Sequence, residues 1–390
     1  MENNELLMIY GTNYKEMTKR LLEAAHLEER ISNKAARIGI KPNLVSASEA
    51  SWGATTHPEI VAGIIEYLKE RGFLRMVILE GSWVGGKTEE AVSLCGYERL
   101  CEEYGVPFWD MQKDRGETRD CAGMELSVCR KVREIDFLIN VPVLKGHCQT
   151  RVTCALKNMK GLLPNKEKRR FHSMGLHKPI AHLNAGIHQD FIVIDNICGD
   201  HDFEDGGNPV VMNRICAGAD PVLCDAFACS VLGYTADEVP YLRMAERLGI
   251  GTTDLGKARV TELNRPAADS REKGAFPWEN AQHMAGQRRI VALEDAVEEV
   301  DSCSACYGYL IPVLDELRRE GMLKKLDTKI CIGQGFKGKT GKLGIGSCTA
   351  SFEKSLKGCP PTEGEILAFL RKYLEDFAAA TEDPSQTPGE

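Results

Sequence analysis

Apolar positions along the chain fall into short continuous runs separated by stretches with helical spacing. Arg37-Ile38-Gly39-Ile40 leads into Lys41-Pro42-Asn43, and Met76-Val77-Ile78-Leu79 ends at Glu80-Gly81-Ser82. Runs this short, closed by polar loops, predict buried strands. Between them, Ile60, Val61, Ile64, Ile65 and Leu68 recur on one helical face up to Gly72, which predicts an amphipathic helix. In front of it Thr56-His57-Pro58-Glu59 has capping-box spacing, so Thr56 is expected to accept from the backbone at Glu59 with Pro58 in the first turn. The alternation continues with a helix over 89–103, a strand near Val106-Pro107-Phe108-Trp109, a strand over 137–143, and Phe191-Ile192-Val193-Ile194 ending at Asp195. Strands alternating with helices predict an α/β domain, a mostly parallel sheet flanked by helices, with ligands beyond the carboxyl ends of the strands.

The chain has 390 residues, enough for about two or three domains. The polar, Pro/Gly-punctuated stretch 261–290 is the expected linker. We therefore expect an α/β domain over 1–290, a smaller C-terminal lobe over 291–378, and a disordered tail over 379–390 without apolar anchors. With 43% hydrophobic and 27% charged residues, the chain can bury a sizeable core. A net charge of −8 gives no global field for nucleic-acid phosphates. No run approaches the about 18 apolar residues of a membrane helix. The acidic, polar start Met1-Glu2-Asn3-Asn4-Glu5 lacks the features of a secretory signal. Expected, then, are no nucleic-acid partner, no membrane, and a cytoplasmic location.

Polar groups collect where the predicted strands end: Lys41 with Asn43, Glu80 with Ser82, Asn140 with Lys145 and His147, and Asp195 with Asp200. Residues 144–188 add Lys157, Asn158, Lys160, His172, His177, His182 and His188. The spacing of these histidines does not keep them on one helical face. It argues for one or two acid/base or substrate-binding imidazoles rather than a histidine metal site. Lys157-Asn158-Met159-Lys160-Gly161 is locally basic and suits a phosphate, carboxylate or nucleotide, whereas Lys166, Lys168, Arg169 and Arg170 read as a solvated face. The stretch Gly81 to Thr88 ends in Gly-Lys-Thr but is one residue short of a phosphate-binding loop. Asp220 is placed to cap the helix after it, and Asp225, one turn on, to face the cleft or to act structurally. The candidate catalytic residues are Lys145, His147, Lys157, His177 and Asp195; the candidate substrate-binding residues are Lys41, Asn43, Thr56, Glu80, Asn158, Lys160 and Asp225.

Fifteen cysteines change the picture. In a reducing compartment they point to thiols or metal thiolates rather than disulfides. Cys303-Ser304-Ala305-Cys306, Cys348 and Cys359-Pro360-Pro361 can complete a four-sulfur site, and proline after a ligand cysteine fixes the turn at a metal. All-cysteine ligation suits an iron–sulfur cluster or zinc. Cys331 sits in a strand-like run and is read as packed; most of the other ten cysteines are read as small core hydrophobes.

Taken in order, Lys41-Pro42-Asn43, Thr56-His57-Pro58-Glu59, Leu144-Lys145-x-His147, Lys157-Asn158-x-Lys160-Gly161, Val193-Ile194-Asp195 and Asp220-Pro221-Val222 with Asp225 resemble the iron–sulfur centre proteins of domain-of-unknown-function family 362. Cys303-x-x-Cys306, Gly346-Ser347-Cys348 and Gly358-Cys359-Pro360-Pro361 look like that family's cysteine-bearing C-terminal segment. The resemblance implies an oxygen-sensitive [4Fe-4S] protein of anaerobic metabolism. Many relatives carry a ferredoxin insert with two Cys-x-x-Cys-x-x-Cys runs, which this sequence lacks. The start of the first helix is also faintly similar to nickel-pincer lactate racemases, without carrying residues over.

The leading expectation is an iron–sulfur oxidoreductase whose single [4Fe-4S] cluster, held by Cys303, Cys306, Cys348 and Cys359, adjoins a Lys/His/Asn/Asp cleft for an anionic small molecule. A ferredoxin-like redox partner and a homodimer fit this reading. The alternatives are a non-redox lyase, isomerase or ligase with a structural cluster or zinc, and a non-enzymatic electron carrier or assembly factor.

Overall fold

The computed structural model describes residues 1–264 and 291–382. Most of the expected linker, from 265 on, and the tail beyond 382 lie outside the described residues. The last helix, Glu363–Glu382, runs past residue 379, where the tail was expected to begin. The chain divides into two compact units, Met1–Phe171 with Leu176–Gly286, and His172–Gly175 with Gln287–Glu390.

The strands of the first unit are, along the chain, β1 (Glu5–Tyr10), β2 (Ile38–Pro42), β3 (Met76–Glu80), β4 (Phe108–Asp110), β5 (Gly116–Asp120), β6 (Glu125–Cys129), β7 (Phe137–Val141), β8 (Lys145–His147), β9 (Arg151–Thr153), β10 (Phe191–Asn196), β11 (Arg214–Gly218) and β12 (Arg259–Glu262). Eight of them form one sheet in the order β12-β1-β11-β10-β7-β2-β3-β4. Only β11 opposes its neighbours β1 and β10; every other pairing in the sheet is parallel. The expected mostly parallel α/β sheet is therefore present. Strands β2, β3 and β7 are buried throughout. Helices over both faces of a parallel sheet leave its strands no solvated side, which is why they read as continuous apolar runs.

The helix Pro58–Glu70 buries Ile60, Val61, Ile64, Ile65 and Leu68 as expected. At Gly63 a Cβ would stand 2.6 Å from the carbonyl of Lys15, so glycine permits the close crossing with helix Tyr14–Ala25. Three local expectations are corrected. The helix expected over 89–103 is two helices, Thr88–Leu94 and Tyr97–Tyr104, broken at Gly96, whose φ of 78° interrupts helical geometry. The strand expected over 137–143 closes at Val141 before Pro142, which lacks a ladder donor; Val143 rejoins only as a bridge to Asp195. Finally, the capping box at Thr56 does not form, because its hydroxyl is used elsewhere.

In the second unit β13 (Val297–Glu299), β14 (Ile330–Ile332), β15 (Leu343–Ile345) and β16 (Lys354–Leu356) form a small sheet, parallel at every pairing. The helices Ser304–Arg319 and Glu363–Glu382 belong to the same unit. Among the described residues no helix is long and apolar enough to cross a membrane.

Candidate functional site

From β2 the chain steps to β3 and β4 on one side, then returns to β7 on the other. The carboxyl ends of β2 and β7 are thus a topological switch point, where open α/β sheets bind ligands. Lys41 stands opposite Asn140 in register there. Thr56 ties the two ends together: its hydroxyl accepts from the Asn43 N–H at 2.8 Å and donates to the Val141 carbonyl at 2.8 Å. That double role displaces the expected capping box. We predict that Thr56→Val leaves both backbone groups unpaired and costs about 3 kcal/mol in urea unfolding; a variant as stable as the parent would show that the ends of β2 and β7 do not depend on this hydroxyl.

Behind the switch point runs a buried relay of amides. Asn158 donates to Asn140 Oδ1 (2.7 Å), Asn140 to Gln189 Oε1 (2.6 Å), and Gln189 to Asn184 Oδ1 (2.6 Å). Each amide fixes the orientation of the next, so Asn158 is oriented by the fold. Lys41 and Glu80, both buried, form an ion pair across the ends of β2 and β3, and Lys41 also donates to the Pro42 carbonyl at 3.0 Å. Burial pulls the Lys41 amine below its ordinary range, with the Glu80 carboxylate opposing. At Gly161 a Cβ would stand 1.8 Å from Glu80 Oε1 and 2.8 Å from Lys41 Nζ, so the absence of a side chain lets the Lys157–Gly161 segment close over the pair. Lys168 is a correction. Expected on a solvated face, it is buried, donating to the carbonyls of Gly81 (2.6 Å) and Ser82 (2.7 Å). A lone helical lysine carries no local mark of burial; only the returning Gly81 loop decides it.

Burial depresses the amines of Lys145, Lys157, Lys160, Lys168 and Lys41, and like charge adds to it at Lys145 (from Lys157), Lys160 (from Lys157 and Lys168) and Lys168 (from Lys41). Lys145 is brought down to about 7 by burial and by Lys157, and Lys168 to about 8, chiefly by burial. Lys145 Nζ donates to the carbonyls of Ala54 (2.5 Å) and Glu204 (2.6 Å). Beside it, His147 Nδ1 accepts from the N–H groups of Gln149 (3.0 Å) and Thr150 (3.2 Å). In the neutral ring the proton then sits on Nε2, 3.4 Å from Glu204 Oε1. The ligand atoms of His147, Cys148 and Glu204 lie within 4.8 Å of one another, near enough to hold a metal ion. As hydrogen-bonded, the trio is instead satisfied by its own protons: the Cys148 thiol donates to Glu204 Oε1 at 3.0 Å, and burial pushes that thiol well up.

Asp195, buried at the end of β10, accepts at Oδ2 from both the backbone N–H and Nδ1 of His57 (2.8 Å each). A carboxylate at the start of helix Pro58–Glu70 is favoured by the helix dipole. Burial opposes a charge on His57, yet the Asp195 carboxylate raises its imidazole to about 10. His57 Nε2 faces Cys198 Sγ at 3.7 Å. Sequence reasoning missed both His57 as a functional group and Cys198; the proline that starts the helix was visible, but no local pattern joins residues so far apart.

Asp225 is buried in helix Pro221–Val231 and accepts from the Leu156 N–H (3.3 Å) and the Tyr241 hydroxyl (3.1 Å). Its carboxyl is pushed up to about 7, chiefly by burial. It anchors the short helix Ala155–Asn158 that carries Lys157 and Asn158. Asp220 caps its own helix as expected, accepting from Val222 and Leu223. His177 opens helix His177–Gly186 and stacks on Tyr241 at 5.9 Å, and burial holds its ring down at about 4. Among the described residues, His172, His177, His182 and His188 contribute to no ligating trio. The Gly81–Thr88 loop has the wrong polarity for phosphate: Gln112 Nε2 donates to the carbonyls of Ser82, Trp83 and Gly86, 3.1 Å each, so these three carbonyls converge on an amide.

In the second unit the four cysteines lie beyond strand carboxyl ends. Cys303 follows β13 and occupies the position just before helix Ser304–Arg319, Cys306 sits in that helix's first turn, Cys348 follows β15, and Cys359 follows β16. The segments of Cys348 and Cys359 are joined by Ser347 N–H donating to the Gly358 carbonyl at 2.8 Å. Gln334, after β14, donates to Cys303 Sγ at 3.6 Å. Burial, reinforced by the neighbouring sulfurs, pushes Cys303 and Cys306 up, Cys306 to about 12. Cys331 lies in β14, as the strand reading expected, but is half-buried beside Glu298 rather than packed in the core. Of the other ten cysteines, nine are buried.

A doubly layered, mostly parallel sheet with lysines gathered at its switch point, joined in one chain to a cysteine-bearing parallel unit, defines an α/β protein of two units. Residues 38–230, just under half of the chain, match the family model described as Domain of unknown function (DUF362), so this segment is a domain of that family. The chain is 24% identical over 250 residues to the thylakoid-associated protein sll1697 of Synechocystis sp., covering 62% of this chain and 75% of that protein. Among solved structures, the lactate racemase apoprotein from Thermoanaerobacterium thermosaccharolyticum aligns with a TM-score of 0.39 at 15% identity, over 60% of this chain and 57% of that one. A Thermotoga maritima protein aligns with a TM-score of 0.36 at 16% identity, over 66% and 62%. The chain thus spans less than two thirds of either structure.

Proposed function

We propose that this protein is an iron–sulfur oxidoreductase acting on a small anionic molecule. The observation that carries the reading is the set of four cysteines just beyond the carboxyl ends of β13, β15 and β16. The Cys348 and Cys359 sulfurs help to push up both Cys303 and Cys306, so the four are near enough to feel one another's charge, and all-cysteine ligation suits an iron–sulfur cluster. A [4Fe-4S] cluster held by Cys303, Cys306, Cys348 and Cys359 supplies one-electron transfer when bound. Cys303 and Cys306, at a helix N-terminus, have the helix dipole to stabilise their thiolates.

The row of buried and half-buried lysines supports the substrate class. Amines crowded at a switch point are held partly uncharged, and an anion that restores their charge is bound in return. In this reading Lys157, Lys160 and Asn158 bind the anion, Lys41 and Glu80 hold the floor with Asn43 and Thr56, and Asp225 positions the Lys157 helix. His147 Nε2–H and Lys145 are the proton donors, with His177 and Asp195 as further candidates for catalytic roles.

Anaerobic reconstitution with iron and sulfide tests the reading. The expected product is a brown protein containing iron and acid-labile sulfide, with a paramagnetic signal on reduction; Cys306→Ser and Cys348→Ser should each lose most of the iron. A colourless protein with stoichiometric zinc, or full iron retention in both variants, would overturn it.

A further inference from the structure

We propose that Cys198, His57 and Asp195 form a nucleophilic centre for a small acyl compound. Covalent catalysis by cysteine needs a thiol, a base within reach of it, and a third group that orients the base. Those roles are filled here in sequence: Cys198 Sγ lies 3.7 Å from His57 Nε2, and His57 Nδ1 lies 2.8 Å from the buried Asp195 carboxylate. His57 has little freedom to leave this pose, because its backbone N–H bonds to the same carboxylate oxygen and Tyr14 packs edge-on against its ring at 5.3 Å.

A second observation points to a ligand. Few large apolar side chains are exposed on the described residues, and two of them lie in segments that adjoin Cys198: Trp52 at 54%, its indole beside Gly206 and Gly207, and Val211 at 65%. Trp52 belongs to the turn whose Ala50 carbonyl lies 3.5 Å from Cys198 Sγ. Val211 stands between Val210, which donates to the Gly199 carbonyl, and Met212, which donates to that of Ile197, so it runs alongside Cys198. Exposed apolar groups beside a cysteine residue that is itself only 6% exposed suit the hydrocarbon part of an acyl group.

The reaction balances without a further reagent besides water. Sulfur attacks the carbonyl carbon as the thiolate, with the proton already held on His57 Nε2 beside the Asp195 carboxylate; the S–C bond forms, the bond to the leaving oxygen breaks, and His57 gives its proton to that oxygen. Water then hydrolyses the thioester and regenerates the thiol.

The full chain treated with p-nitrophenyl acetate provides the test. The expected result is a burst of p-nitrophenol with one acetyl group on Cys198 by peptide mass spectrometry, absent in Cys198→Ala and slowed about a hundredfold in His57→Gln. Melting of Cys198→Ala at the parent temperature keeps the test decisive should His57→Gln fail to fold. Acetylation confined to lysines or other cysteines, or a burst that persists in Cys198→Ala, overturns the proposal, as does a folded His57→Gln with the parent rate.

Discussion

Replacing Glu80 with glutamine is expected to destabilise the first unit by about 3–5 kcal/mol, the cost of leaving one member of a buried ion pair without its partner. Lys41 is inaccessible and Glu80 nearly so; without the carboxylate, Lys41 keeps only the Pro42 carbonyl among the contacts described above. The loss should depend on pH in a definite direction. Lys41 titrates below its ordinary value in the folded protein, so the folded state binds fewer protons than the unfolded one, and stability rises with pH up to the unfolded lysine range. Removing Glu80 takes away the interaction that opposes this depression and steepens the rise. Unfolding in urea at several pH values reads both effects, and Lys41→Met combined with Glu80→Leu should recover most of the loss because no charge is then buried. Equal stability of Glu80→Gln and the parent across this range would show that Lys41 is not held by the pair.

Anion affinity should fall steeply as pH rises, by about tenfold per pH unit for each amine that must be recharged. Lys145 is held at about 7 and Lys168 at about 8, with Lys157 and Lys160 depressed in the same direction. An anion favours the charged amine, so binding takes up protons above these values and none well below them. Sulfate is a suitable probe because its own charge is constant over the range. Between pH 7 and pH 9 its association constant should drop about fiftyfold through Lys145 alone, and Lys145→Met should flatten the profile. Calorimetry in two buffers of different ionisation enthalpy measures the proton uptake directly. A flat profile with no proton uptake would remove the lysine row as the anion site.

The parts of the fold that could be read in advance are those whose cause is local. Strands β2, β3 and β10 are continuous apolar runs because both faces of the sheet are covered, and the helix Pro58–Glu70 repeats its apolar positions at helical spacing for the same reason. Lys41, Asn43, Lys145 and Asp195 were legible as groups just beyond strand ends. Thr56 was misread because its capping-box spacing is genuine, yet the Asn43 N–H and the Val141 carbonyl converge on the same oxygen. Lys168 was misread because burial of a single helical lysine leaves no periodic trace.

By itself the sequence determined an α/β protein of family 362 type, a basic segment at the strand ends and a C-terminal group of cysteines, all properties of neighbouring residues or ordered motifs. Only the tertiary structure decided that Glu80 rather than solvent receives Lys41, that Gln112 fills the Gly81–Thr88 loop, and that Cys198 meets His57. Those contacts join residues far apart in the chain, and their energies depend on distance and burial in space, which spacing along a sequence does not encode.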